Sequence, residues 1–98
     1  MEKYETQSEE VYEINGEVKT IFRVISNPDA LKILLLAGEG IRNSTYAMEE
    51  LGLSKKRYYT RIKALLNANL IKKKDDVYRQ TALGRIMYDR FLPAMEKA

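Results

Sequence analysis

The fold of this chain is decided by residues 43–71, which read NSTYAMEELGLSKKRYYTRIKALLNANLI. Ser54 is suited to cap a helix, because its side-chain oxygen can accept a hydrogen bond from an unpaired N–H of the first turn. Beyond it, apolar positions recur at spacings of three and four residues, which is typical of a helix that packs along one side. This packing stripe consists of Tyr58, Ile62, Leu65, Leu66 and Asn69.

The opposite arc of the same predicted helix is cationic. It carries Lys56, Arg57, Thr60 and Lys63, with Lys55 and Arg61 at its flanks. A shorter segment, NSTYAMEELG at residues 43–52, precedes this helix. In this segment Ala47, Met48 and Leu51 keep helical spacing, and Gly52 suits the left-handed residue that ends a helix. Helix, glycine turn and basic helix follow the order of a helix-turn-helix, whose second helix enters the DNA major groove. A basic amphipathic helix alone is more often only a solvated face over a core.

Residues 71–80, IKKKDDVYRQ, predict a two-stranded hairpin with its turn at Asp75 and Asp76. Its cationic side chains are Lys72, Lys73, Lys74 and Arg79. Because side chains alternate along a strand, Lys72 and Lys74 share one face and Lys73 points the other way. A basic hairpin directly after a basic helix suits a wing that grips the DNA backbone while the helix contacts bases.

Charge is segregated along the chain far more than the net charge of +3 indicates. Residues 54–80 contain nine Lys or Arg against two Asp, a net of +7, whereas residues 1–17 contain six Glu against one Lys, a net of −5. A surface kept soluble needs charge but no such clustering. The pattern therefore favours an anionic partner for the middle of the chain.

The sequence contains neither cysteine nor histidine. Disulfides, thiolate or imidazole metal sites and Ser–His or Cys–His nucleophiles are therefore excluded. The adjacent carboxylates Glu49 and Glu50 would lie about 100° apart on a helix, and Asp75 and Asp76 would lie in a turn. Neither pair comes with a base, a nucleophile or a phosphate-binding glycine loop. We expect no enzymatic activity, no cofactor and no metal.

Neither the first residues nor the apolar run at residues 31–37 indicates export or membrane insertion. The first ten residues, MEKYETQSEE, lack a positive segment and an apolar run, and LKILLLA at residues 31–37 is too short to span a bilayer. We therefore expect a cytoplasmic protein with no membrane partner.

The chain divides into a flexible, Glu-rich terminus at residues 1–10 and one domain at residues 11–98. Residues 17–26 fit either a helix or a strand. A helix is favoured, because ten unbroken residues exceed the usual strand and Asn15 can cap it, while a short strand at residues 10–14 stays open. Asn27 and Pro28 then predict the start of a helix whose segment ALKILLLA is apolar nearly all round, and which ends at residues 38–40.

A last helix is predicted from Ala82, capped by Thr81. Leu83, Met87, Phe91 and Met95 recur at spacings of four along it, with Ile86 and Leu92 beside them. This stripe either packs on the domain's own core or pairs with a second copy. The interface expected for a homodimer combines the four stripe residues, on the helix at about residues 82–97, with Ile21. Pro93 is expected to kink or end the helix near Leu92.

Three segments resemble winged helix-turn-helix proteins of the ArsR and MarR-like group, especially the short archaeal forms. They read ISNPDALKILLLAGEG, STYAMEELGLSKKRYYTRIKALLNANLI and KKKDDVYRQTALGRIMY, and they cover about residues 25–88. The resemblance implies a mainly α fold with a small β-hairpin, comprising about five helices and a wing sheet of two or three strands. It also implies that the helix at residues 54–68 reads DNA and that the wing at residues 71–80 grips it.

The expected DNA contacts combine this resemblance with the charge pattern. They are Ser54, Lys55, Lys56, Arg57, Tyr59, Thr60, Arg61, Lys63, Lys72, Lys73, Lys74 and Arg79. Tyr58 falls on the packing stripe and is expected in the core, whereas Tyr59 fits either the rim of the core or a phosphate contact. Tyr78 is expected to be structural.

Three departures from the family pattern matter. Asn69 stands where the family usually has glycine, a change that asparagine tolerates because it enters the left-handed region readily. Ala30 stands where the arsenic-type members commonly carry arginine. The metal sensors' cysteines are replaced by AMEELG at residues 47–52, so metal sensing does not carry over.

The leading functional prediction is a homodimeric transcriptional regulator that binds double-stranded DNA. One alternative is a winged-helix module for protein interactions in a larger assembly, with the last helix as its interface. Another is a nonspecific architectural DNA-binding protein. The sequence does not identify a small-molecule effector, an operator or the direction of regulation.

Overall fold

The computed structural model describes residues 18–97, with side chains as far as residue 90. Within this range, five helices accompany one two-stranded antiparallel hairpin. The elements are α1, described at residues 18–25, α2 Pro28–Ala37, α3 Ser44–Leu51, α4 Lys55–Asn67, β1 Ile71–Lys74, β2 Val77–Gln80 and α5 Ala82–Lys97. A mainly helical architecture with a small hairpin is confirmed. The predicted flexible terminus, the open strand at residues 10–14 and the cap at Asn15 lie outside the described residues.

The helical interpretation of residues 17–26 is confirmed over residues 18–25. Helix α2 then begins as its first residues predict. The side-chain oxygen of Asn27 accepts a hydrogen bond from the Ala30 N–H at 3.1 Å, and Pro28 occupies the first turn, where its missing N–H costs little. The helix ends at Ala37, and the chain turns at Gly40, whose φ of 96° favours glycine.

Helix α2 is the centre of the fold and contacts α3, α4, β2 and α5. Its core residues Ala30, Ile33, Leu34 and Ala37 are buried. One side of this apolar segment is open at Leu35, which is 45% exposed. Successive helical residues lie about 100° apart, so a side chain next to Leu34 turns away from the elements that cover it.

Helices α3 and α4 are joined by a tight turn. The Asn43 side chain caps α3 by accepting from the Tyr46 N–H at 3.0 Å. Gly52 ends α3 in the left-handed region with a φ of 67° and a ψ of 36°, as predicted. The Ser54 hydroxyl oxygen accepts from the Arg57 N–H at 3.2 Å, which confirms Ser54 as the cap of α4.

Helix α4 packs against α2 through part of the predicted stripe. Tyr58, Ile62 and Leu65 are buried, as expected. Leu66 is 37% exposed, and Asn69 is exposed as well, so the stripe is wrong at these two positions. Leu66 lies about 100° around the helix from Leu65. Asn69 follows the helix and adopts a left-handed φ of 60°, a region that asparagine enters more readily than most residues.

The hairpin has the predicted strands and turn. Its register pairs Ile71 with Gln80, Lys72 with Arg79, Lys73 with Tyr78 and Lys74 with Val77. Asp75 and Asp76 both have positive φ, 53° and 61°, which is the backbone of a type I′ turn. Ile41 adds a third strand segment through two backbone hydrogen bonds to Tyr78, of 2.9 and 3.0 Å. The sheet thus falls within the predicted two to three strands.

Helix α5 is held against the hairpin at its first turn. The Thr81 hydroxyl oxygen accepts from the Gly84 N–H at 2.9 Å and donates to the Asn69 carbonyl at 2.6 Å, which confirms Thr81 as the cap. Gly84 is buried so closely that an added methyl group would overlap the carbonyl oxygen of Leu70. Glycine is therefore required here by contact rather than by backbone freedom.

Pro93 does not end α5. The sequence predicts a kink or an end near Leu92; the end is wrong, because the helix continues through Pro93 to Lys97. A proline removes one N–H from the helical ladder, and the turns on either side retain their own hydrogen bonds.

Candidate nucleic-acid interface

Helix α4 exposes a cationic arc opposite its packed side. Exposed side chains in and just before the helix are Ser54, Lys55, Lys56, Arg57, Tyr59, Thr60 and Lys63. The helix contains no acidic residue. Among the described residues, the ammonium groups of Lys55, Lys56 and Lys63 have no ion-pair partner. The predicted charged face of the helix is thus open to solvent over residues 54–63, about two and a half turns.

Arg57 differs from these lysines because it is held by an acidic side chain of α2. Its Nε and Nη2 both donate to Oδ2 of Asp29, at 3.0 and 2.7 Å. The Asp29 side chain is 12% exposed, and that of Arg57 is 59% exposed. The acidic end of the ion pair is therefore anchored in the domain, while more than half of the Arg57 side chain is exposed.

Two other residues of α4 that are predicted to contact DNA are less free than the lysines. The Thr60 hydroxyl donates to the Lys56 carbonyl at 2.7 Å, which leaves its oxygen free to accept but commits its proton. Arg61 is half-buried, and its Nε is buried with no hydrogen-bond partner in the described part of the chain. Arg61 therefore does not project from the helix as freely as the lysines.

The adjacent tyrosines have separate environments. Tyr58 is fully buried, and its hydroxyl lies 3.0 Å from the Ser44 hydroxyl oxygen at the start of α3. Burial raises the pKa of the Tyr58 phenol above its usual value of 10.0, and the Ser44 hydrogen bond partly opposes that rise. Tyr59 is 41% exposed and packs edge-to-face on Tyr58, with ring centroids 4.9 Å apart. Tyr58 thus links the two helices, as a core residue should.

The hairpin exposes its cations on two faces. The register places Lys72, Lys74 and Arg79 on one face, since paired and alternate residues share a side. Lys73 lies on the other face, where its ammonium group sits 5.2 Å from the centre of the Tyr78 ring. The predicted division of the three lysines is confirmed, and the half-buried Tyr78 has a packing role.

The third strand segment adds residues beside the first of these faces. An added methyl group at Gly40 would lie 3.3 Å from Nη1 of Arg79, so the guanidinium of Arg79 rests over that glycine. Arg42 is exposed and is separated from Gly40 by Ile41, which pairs with Tyr78. Arg42 therefore lies at the edge of the sheet, next to the residue that pairs with the hairpin.

The residues predicted for a dimer interface are described only in part. Ile21 and Leu83 are half-buried and line a cavity of about 310 Å³ together with Thr20 and residues 67–69. Met87 is half-buried and packs against the core. Ile86, beside the stripe, is 55% exposed. The side chains of Phe91 and Met95 lie outside the described residues.

Asp29 and Arg42 lie beside the candidate interface but are not among the residues that the sequence predicts for it. Asp29 follows Pro28 in the first turn of a helix, where an acidic residue is already explained by the positive end of the helix dipole. The sequence therefore gives no reason to pair it with Arg57, 28 positions later. Arg42 stands in a loop, and only the bridge at Ile41 brings it to the sheet. The feature of the sequence that marks Arg42 is its position directly before Asn43, the residue that caps α3.

Comparisons of the chain with protein families, curated proteins and solved structures found no match. Among the described residues, no group of three or more acidic side chains is placed to hold a metal ion. None of the helices in that part of the chain has the length and apolar character needed to cross a bilayer.

Proposed function

We propose that this protein is a winged helix-turn-helix DNA-binding transcriptional regulator. In this proposal α3 and α4 form the helix-turn-helix, α4 enters the major groove, and the hairpin with Ile41 forms the wing. The observation that carries it is the exposed, acid-free cationic arc of α4, directed outward by the packing of Tyr58, Ile62 and Leu65 on the other side. A negatively charged double helix is the partner that such a surface fits.

The two cationic regions have different tasks in the proposal. Near its start α4 carries Lys55, Lys56, Arg57 and Thr60, and the first residues of a groove helix are the ones that reach base edges. The hairpin face with Lys72, Lys74 and Arg79 contacts phosphates, which sets the register on the duplex and carries little sequence information. Arg42 lies at the edge of the same sheet.

The regulator is proposed to act as a homodimer through α1 and α5. An apolar stripe on a small domain supports this arrangement, as does the 55% exposure of Ile86 on α5. A two-fold pair of α4 helices would address half-sites about 34 Å apart. Light scattering at tens of micromolar should give a dimer mass, and Phe91→Asp should give a monomer. A monomer mass for the wild-type chain would contradict this part of the proposal.

A protein-interaction module is the second candidate function. The observation in its favour is apolar exposure outside the cationic surfaces, at Leu35 and Ile86. In that case the basic face would serve solubility alone, and random duplex DNA would not be retained at low salt. A nonspecific architectural DNA-binding protein would retain random duplexes but show no preference among them. A catalytic role is not proposed.

Selection of bound duplexes from a random pool tests the proposed function. The full chain should enrich a defined sequence, and the enriched duplex should bind more tightly than a scrambled duplex of the same length at the same salt concentration. Binding without enrichment would leave the architectural function. Failure to retain any duplex at low salt would remove DNA binding altogether.

A further inference from the structure

We infer that Asp29 is a specificity-determining residue that makes Arg57 a reader of guanine. The inference rests on the proposed function, because it concerns how α4 contacts base edges. Among the residues whose side chains the structure describes, Asp29 is the one charged residue that is buried. A buried carboxylate loses hydration, so it needs partners that compensate for the loss.

Asp29 has those partners at the junction of α2 and α4. It lies in the first turn of α2, where the helix dipole favours negative charge. Oδ2 accepts from both Nε and Nη2 of Arg57. The backbone of Arg57 is fixed as well, because its N–H donates to the Ser54 cap. Both the main chain and the side chain of Arg57 are therefore positioned before any ligand arrives.

Because Asp29 accepts hydrogen bonds from one pair of N–H groups of the Arg57 guanidinium, only the other pair is left to contact a ligand. A guanidinium is planar and presents N–H pairs along its side, from Nε and Nη2, and at its end, from Nη1 and Nη2. The pair along the side is taken by Asp29. The pair at the end remains, on a side chain that is 59% exposed.

Two parallel N–H groups at the end of an arginine match the O6 and N7 acceptors of guanine in the major groove. No other base presents two acceptors at that edge. Arg57 also lies in the first turn of α4, and the start of the helix is the part that reaches bases in helix-turn-helix docking. Because the side chain is already ordered, less conformational entropy is lost when it binds. Lys55 and Lys56, which lack such a partner among the described residues, have no comparable preference.

The test uses the full chain and the duplex enriched by selection, with each position changed in turn. The position read by Arg57 is the one at which Arg57→Ala abolishes the base preference, and it should be guanine, preferred by about tenfold. Asp29→Asn keeps the size of the side chain and removes its charge. It should lose most of that preference while affinity for random duplex stays within about twofold or rises slightly. Asp29→Asn should add nothing to Arg57→Ala at this position.

Asp89→Asn is the matched control, because it removes the same charge from an exposed site on α5. It should alter the preference at no position. If Asp29→Asn keeps the full guanine preference that Arg57→Ala loses, Arg57 reads DNA without Asp29 and the inference is overturned. Equal losses for Asp29→Asn on all duplexes would also overturn it. By contrast, a wild-type chain that enriches no sequence would refute the proposed function itself.

Arg57→Lys keeps the inference testable if Asp29→Asn does not fold. A lysine can pair with Asp29 but cannot present a planar pair of donors at the same time. Arg57→Lys should therefore keep affinity for random duplex and lose the guanine preference. Full retention of that preference by Arg57→Lys would overturn the inference.

Discussion

The start of α4 and the hairpin are both cationic, but Arg57 in α4 is held in place by hydrogen bonds, whereas the hairpin lysines Lys72 and Lys74 have no ion-pair partner among the described residues. Arg57 is held by Asp29 through two hydrogen bonds, and its backbone is held by the Ser54 cap. Lys72 and Lys74, by contrast, are exposed on a short strand. A group that reads a base needs a fixed direction, whereas a group that contacts phosphate needs only charge and reach. In the proposed regulator, the start of α4 would therefore contact bases and the hairpin would contact phosphates.

Leu70 lies between α4 and the hairpin, and a substitution that disturbs its contacts with α5 is expected to have the largest effect on stability. The Leu70 carbonyl accepts from the Thr81 N–H at 3.1 Å, and Gly84 packs directly against it. Gly84→Ala would force the backbone of the hairpin and α5 apart and should cost about 3 kcal/mol in the free energy of unfolding. Urea titration measures this loss, and DNA binding by both regions should fall with it.

Asp89→Ala is the control for that substitution, because Asp89 lies on the same helix and is exposed. Its unfolding free energy should stay within about 0.5 kcal/mol of the wild-type value. A Gly84→Ala variant as stable as the wild-type chain would show that α5 does not approach Leu70 so closely.

The next effect isolates the hairpin. Replacing Lys72 and Lys74 together with alanine should remove two phosphate contacts from one face. The slope of log K against log salt should then flatten by about 1.8, with equal losses on preferred and random duplexes. Lys73→Ala, on the opposite face beside Tyr78, should flatten it by less than about 0.9. If Lys73→Ala matched the double variant, the register would not determine which lysines contact phosphate.

The smallest expected effect concerns Tyr58, which is buried where α4 packs and contacts Ser44 at the start of α3. Burial raises the pKa of Tyr58 in the folded chain, so the unfolded chain loses this proton first as the pH rises past about 10. Stability from Tyr58 is therefore complete below that pH and declines above it. Tyr58→Phe should cost about 1 kcal/mol at neutral pH through the lost Ser44 hydrogen bond, and should weaken the alkaline decline.

Unfolding measured between pH 8 and about 11 would show this difference. Tyr46→Phe is the matched control, since the Tyr46 ring is 60% exposed. An alkaline decline that is identical in Tyr58→Phe and the wild-type chain would contradict the role assigned to burial.

Most helix and strand boundaries could be predicted because short-range chemistry sets them. Asn27, Ser54 and Thr81 cap helices through their own side chains, and Gly52 ends one in a conformation that glycine adopts easily. The hairpin follows from alternation around Asp75 and Asp76. Each of these signals acts over a few residues, so the sequence shows it directly.

The contacts between distant elements could not be predicted in the same way. Periodicity placed Leu66 in the core, but burial depends on which elements cover each side of α4, and that side is left open. The pair of Asp29 and Arg57 spans two helices, and each residue has a plausible local explanation. The burial of Arg61 Nε depends on packing in the same way. Charge patterns identified the cationic surfaces, but the packing determines which cations are fixed.

One measurement tests the division between reading and gripping most directly: the ratio of affinity for the preferred duplex to affinity for random duplex, at several salt concentrations. Arg57→Ala should lower this ratio by about tenfold, since a base contact of this kind contributes roughly 1 to 3 kcal/mol. The double alanine variant of Lys72 and Lys74 should lower both affinities and leave the ratio unchanged. If both variants lose affinity equally on the two duplexes, α4 does not read sequence, and a nonspecific architectural role replaces the regulator.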